Sequence, residues 1–185
     1  MGKLKNIVIH TADMPYGTAV LIDKIHRQKG WSAIGYNAVI TNGVPDSRMY
    51  FNGEKWDWAD GQIEWGRPFD QDDVVESVEV GAHVLGHNSE SFGIALIGKD
   101  GNYTLKQMMV LFKLCNKLRE RWTHLEPKHF LAHYELDTKG KTCPDIHADD
   151  LRKFLFEGLP LTQVRFGPKH DTKKFAADKT FFGCS

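Results

Sequence analysis

The sequence lacks a charge imbalance. Lys and Arg together number 24 and Asp and Glu number 24, which removes the electrostatic case for a nucleic-acid partner. It also lacks an apolar run long enough to cross a bilayer, so membrane insertion is not expected. The N-terminal run Asn6-Ile-Val-Ile-His10 is too short for a signal-peptide core, and the expectation is synthesis in the cytosol without an export signal. Cysteine is scarce and odd in number: Cys115, Cys143 and Cys184 sit at scattered positions that imply no disulfide framework. Repeats and low-complexity segments are absent. What remains is 185 residues with 41% hydrophobic and 26% charged side chains, the profile of one globular domain with a real core.

Helix and strand signals alternate along the chain. Asn6–His10, Tyr36–Ile40 and Gly93–Ile97 are short β-branched or apolar runs that predict buried strands. Phe130-Leu-Ala132 is a similar run leading into His133. Thr18–Lys29 predicts a helix with Leu21, Ile22 and Ile25 inward and Gly30 at its end. Thr104 and Gln107 form a capping-box pattern. Beyond it, Met108, Leu111, Phe112, Cys115, Leu118 and Trp122 recur at helical spacing. Asp149–Glu157 predicts a last helix, stopped by Gly158 and Pro160. The expected fold is an α/β single domain with a central mixed β-sheet flanked by helices, spanning residues 1–160. Residues 43–60, rich in Gly, Asp and aromatics, are expected to form an inserted hairpin or long loop. Residues 161–185 read as a basic C-terminal extension, pinned by Phe175, Phe181 and Phe182.

The stretch from His133 to Lys141-Thr-Cys143-Pro144 carries the clearest chemistry. With His10 it supplies two imidazoles and a thiol, a ligand set suited to zinc. Three protein ligands leave the fourth tetrahedral position open, which separates a catalytic from a structural metal. Lys141 puts a cation two residues from the thiol, where an oxyanion could form. Each residue also has an ordinary reading. A lone strand-end histidine is a core or surface group, a lone cysteine is a small hydrophobe, and a lone loop lysine is solvated. Their joint order favours the metal.

The chain resembles the zinc-dependent N-acetylmuramoyl-L-alanine amidases, the superfamily that includes phage amidase-type lysozymes and animal peptidoglycan-recognition proteins. The resemblance rests on His10, His26-Arg-Gln-Lys-Gly-Trp31, Ile34-Gly-Tyr36, Gly61-Gln-Ile-Glu-Trp-Gly-Arg67-Pro68, Gly81-Ala-His83, Gly86-His-Asn88, Ser91-Phe-Gly-Ile94, Ala132-His133 and Lys141-Thr-Cys143-Pro144. It spans Ile7 to Leu155. It implies Zn2+ held by His10, His133 and Cys143, with Tyr36 and Lys141 as catalytic residues. It further implies His83, His87 and Asn88 in a substrate groove. The implied substrate is peptidoglycan, cut between the lactyl group of N-acetylmuramic acid and the L-alanine of the stem peptide.

Zinc lowers the pKa of water from about 15.7 to about 7, a shift equivalent to about 12 kcal/mol, whereas an oxyanion donor such as Lys141 contributes about 3 kcal/mol. The metal therefore matters more than the lysine. Tyr36 could orient water or donate to the oxyanion. Glu90 and Glu135 lie near motif residues as candidate bases. A phage endolysin, acting on the wall from the host cytoplasm at lysis and expected to be monomeric, is the leading reading. A non-catalytic recognition module is disfavoured by Cys143. A cytosolic muropeptide-recycling amidase is disfavoured by Ala95 and Cys143, because the resemblance to that branch would imply a glutamate and an aspartate there instead.

Overall fold

The computed structural model describes residues 2–70 and 72–167. Strands run β1 (Gly2–Lys3), β2 (Asn6–Thr11), β3 (Ala38–Asn42), β4 (Asp60–Trp65), β5 (Val74–Val75), β6 (Ser91–Leu96) and β7 (Phe130–Ala132). Helices are α1 (Ala19–Gln28), α2 (Ser47–Asn52), α3 (Leu105–Arg121) and α4 (Ala148–Phe156). Five strands form one mixed sheet in the order β4-β3-β6-β2-β7. β2 lies parallel to both β6 and β7, β3 is parallel to β6, and β4 returns antiparallel to β3. β1 and β5 pair separately. No helix among the described residues is long and apolar enough to cross a membrane.

Strand alternation assigns each side chain to one of two layers. Ile9 is in register with Ile94 and Ala132, and Ile94 with Ala38. This row joins Ile7, Ile40 and Leu96 in the main core under α3 and α4. The next row, His10–Ala95–Val39, faces the other way. Val39, Ala95 and Ile97 pack there with Ala19 and Ile22 of α1. The register therefore puts His10 on the α1 face. Val8 pairs with Gly93 on the same face.

The capping box at α3 is formed as the pattern predicts. The Gln107 amide is buried and donates to the carbonyls of Ile40 and Ile97, tying the helix start to two strand ends. Thr18 caps α1 by accepting from the Leu21 N–H.

Several boundaries differ from the sequence expectation. β3 starts at Ala38, so Tyr36 precedes the strand. The Asn37 side chain explains this: its Oδ1 accepts from Gly93 N–H and its amide donates to Glu79 O. Edge strand β4 has no counterpart in the periodicity reading, because its buried pattern is broken by Gly61, Gln62 and Glu64. Residues 43–60, expected as a hairpin or long loop, form a loop segment interrupted by a short helix. They carry α2, capped by Asp46 accepting from Met49 N–H and ended by Gly53 in the left-handed region at φ 70°. The boundary at 160 also moves. Val164 and Phe166 are buried in the main core, Phe166 bridges to Ile146, and Arg165 pairs with Asp150 of α4. The packed domain thus includes the chain through Gly167. Phe175, Phe181, Phe182 and the rest of the basic extension lie outside the described residues.

Candidate metal centre and active site

His10 is the next-to-last residue of β2 and His133 follows directly on β7. Because the strands are parallel neighbours, their exits lie side by side. The two rings have centroids 4.4 Å apart. Cys143 arrives from the chain before α4. Its Sγ accepts from the Thr11 N–H at 3.2 Å and lies 3.8 Å from His10 Nδ1. One donor atom from each of His10, His133 and Cys143 falls within 4.8 Å of the others. This spacing suits donors around one ion at bond lengths of roughly 2.0–2.3 Å.

Hydrogen-bond bookkeeping sets which nitrogen of His10 faces that point. Ser91 Oγ donates to the His87 carbonyl at 2.7 Å, leaving its oxygen to accept from His83 Nε2 at 3.4 Å. With the proton on Nε2, His83 Nδ1 is an acceptor. His10 Nε2 lies 3.0 Å from that atom and therefore carries the donating N–H. The lone pair of His10 is left on Nδ1, the atom facing Cys143. A metal-binding histidine is oriented in this way by whatever holds its other nitrogen.

Electrostatics agree with neutral imidazoles. Burial, then His83, His133 and Lys141, drives the His10 pKa well below the usual histidine value. Burial and the Lys141 charge lower His133. Burial pushes His83 down to about 3. Burial likewise pushes the Cys143 thiol up to about 12, opposed by the Thr11 N–H and Lys141. A sulfur so placed becomes a thiolate when a cation shares the site. Two neutral imidazoles and a thiol thus fit a borderline-soft divalent ion such as zinc.

Tyr36 stands beside the cluster, its ring centroid 5.2 Å from that of His10. Burial raises its phenol pKa, with further contributions from Cys143 and Asp13, so it remains a hydrogen-bond donor. Lys141 is exposed at the rim. Its backbone N–H donates to Asp137 Oδ2, which also accepts from Lys139 N–H; this carboxylate shapes the loop that presents the lysine.

The other expected residues fall differently. His83 does not line an open groove. It is buried under His10, with its ring against Gly93. Asn88 Oδ1 accepts from the backbone N–H groups of His83 and Val84, closing the loop that carries His83. His87 is half-exposed and paired with Glu90. Neither candidate base is free. Glu90 also bonds Lys5, and Glu135 accepts from the Ala132 N–H while pairing with Arg152. Beside Tyr36 is a cavity of about 280 Å³ lined by Asp13, Met14, Ile22, Ile25, His26 and Lys29. Ile22, Ile25 and His26 of α1 and its C-cap residue Lys29 share one helical face through their i, i+3, i+4, i+7 spacing. The helical spacing is the one sequence signal for Lys29, and Asp13, in the loop before α1, has none. A larger cavity, about 1110 Å³, lies across the sheet between β4 and α3 and includes none of the metal cluster.

The N-acetylmuramoyl-L-alanine amidase family matches residues 1–146 of this chain. The endolysin of Enterobacteria phage K11 is 30% identical over 148 residues, covering 76% of this chain and 76% of the relative. Among solved structures, the N-acetylmuramoyl-L-alanine amidase LysC from Clostridium intestinale is similar with a TM-score of 0.55 at 28% identity, over 77% of this chain and 76% of that one. Drosophila PGRP-LB shares the fold, with a TM-score of 0.52 at 24% identity over 78% of this chain and 76% of that one. With the family match covering most of its length and the His-His-Cys cluster assembled on its sheet, the chain belongs to the N-acetylmuramoyl-L-alanine amidase family.

Proposed function

We propose that this protein is a zinc-dependent peptidoglycan hydrolase. It cleaves the amide between N-acetylmuramic acid and L-alanine and serves as a phage endolysin, made in the host cytoplasm and acting on the wall at lysis. The observation that carries the reading is the convergence of His10, His133 and Cys143. Zinc, when bound, supplies Lewis acidity toward water and the scissile carbonyl.

The remaining work falls to the chain's own groups. His83 holds His10 in the tautomer that leaves Nδ1 free. Tyr36, kept protonated by burial, offers an O–H to the carbonyl oxygen or the attacking water. Lys141 brings positive charge to the rim, where negative charge develops on the carbonyl oxygen; such a donor contributes about 3 kcal/mol. Glu90 and Glu135 are held in ion pairs, so proton transfer is assigned to solvent. The cavity between α1 and Tyr36 is the place for the stem peptide, with Lys29 and His26 as its polar contacts.

Mass spectrometry of digested sacculi tests the proposal. Free lactyl carboxylates and new L-alanine amino termini are expected, and their formation should stop with a chelator and return with zinc. Products carrying new reducing sugar ends instead would refute it.

A further inference from the structure

Residues 43–60 place an aromatic group on the surface that the metal-site chemistry does not use. Trp56 and Trp58 stack at 5.5 Å with 18° between their planes, yet are 45% and 70% exposed. Tyr50 contacts both Tyr16 and Phe51 nearby. The rings are not on a loose tether. Trp56 N–H donates to Gly43 O, Gln62 donates to Trp58 O, Lys106 donates to Asp57 O, and Lys55 pairs with Asp60. A fixed backbone that holds two large apolar side chains in water calls for an occupant.

The surroundings identify its chemistry. A notch of about 90 Å³ beside the tryptophans is lined by the apolar Val44, Pro45 and Ala59 and by the polar Thr18, Gln62 and Glu64. The Glu64 carboxylate accepts from the Ala19 N–H through Oε2, leaving Oε1 without a partner among the described residues. An apolar protein face laid over this notch would strip water from a carboxylate and return no hydrogen bond. A pyranose ring suits it better. Its C–H face covers an indole while its hydroxyl and amide edges reach the polar groups.

The platform adjoins the metal site through one loop. Thr11 bonds Cys143, Asp13 and Met14 line the cavity beside Tyr36, and Gly17 bonds Val44 and lines the notch. Five peptide steps separate Thr11 from Tyr16, so these ends lie within about 18 Å.

We infer that the Trp56–Trp58 platform is a glycan subsite. It stacks an N-acetylated sugar of the peptidoglycan strand while the metal site works on a stem peptide of the same strand. This deepens the proposed function and rests on it.

The test uses the full chain, zinc-loaded, with two probes: peptide-free glycan strands for binding, and a soluble muramoyl-peptide monomer for hydrolysis. Trp58→Ala is expected to weaken glycan binding about tenfold, the effect of truncating a central aromatic contact. Hydrolysis of the monomer should stay at the wild-type rate, and Trp58→Phe should recover most of the binding. Equal binding by Trp58→Ala and wild type, or no glycan binding by wild type, overturns the inference. So does concentration-dependent self-association that Trp58→Ala abolishes, which would make the platform a contact between copies. If wild type binds glycan through Trp58 but cleaves no amide, the proposed activity fails while the sugar subsite stands.

Discussion

Gly93→Ala tests the site through a residue that touches no ligand atom. Gly93 lies in the centre of β6, in register with Val8. A Cβ built there would sit 2.8 Å from Cγ and Cδ2 of His83 and 3.0 Å from its Nδ1. Those atoms belong to a buried ring, close to its own Cβ, and the ring cannot swing away as a flexible chain end would. The ring must shift, and Nδ1 moves with it. The 3.0 Å bond to His10 Nε2 then lengthens, and His10 loses the partner that sets its tautomer. Loss of such a support typically weakens metal affinity about 10- to 100-fold, or about 1.4–2.8 kcal/mol. Competition against a chromophoric chelator measures it. A double-mutant cycle with His83→Ala isolates the cause. If the methyl acts through His83, it should cost little further affinity once that ring is gone. Wild-type zinc affinity in Gly93→Ala, or fully additive losses in the cycle, would refute the reasoning.

Lys141→Ala should retain zinc and the fold while losing about two orders of magnitude in turnover; an unchanged rate would reduce Lys141 to a surface residue. Chelation should lower the melting temperature, because the site ties the end of β2 to the segment at Cys143, and ligand saturation at a thousandfold over Kd stabilises by about 4 kcal/mol. Identical melting with and without zinc would contradict that. Asp150 accepts from the Arg165 backbone and guanidinium, and the Arg165 side-chain bond holds its carboxyl below the usual range. With the folded pKa depressed, this stabilisation is present above the unfolded value of about 3.9 and disappears as pH falls through the folded one. Asp150→Asn should therefore cost about 1–2 kcal/mol at pH 7, after allowance for solvent screening at Arg165. The difference from wild type should shrink in melts at pH 3, and a constant difference would count against it.

Elements with their own local signal were legible. The capping box and apolar spacing of α3, the Thr18 cap of α1 and the short runs of β2 and β6 all encode their structure in neighbouring residues. β4 was not, because an edge strand with Gly61 and Glu64 lacks an apolar alternation. Nor was α2, six residues long and marked chiefly by Asp46 and Gly53.

The sequence by itself determined the candidate ligands, because His10, His133 and Cys143 occupy recognisable motifs. It could not determine their convergence, which depends on the parallel pairing of β2 with β7 and on Thr11 meeting the Cys143 sulfur. Tertiary structure alone decided that His83 lies beneath His10, that Glu90 and Glu135 are occupied, and that the packed chain continues through Gly167. The physical reason is that each depends on contacts between residues distant in the chain, His10 with His83, Lys5 with Glu90, Arg152 with Glu135 and Arg165 with Asp150, and such contacts exist only once the strands and helices have packed.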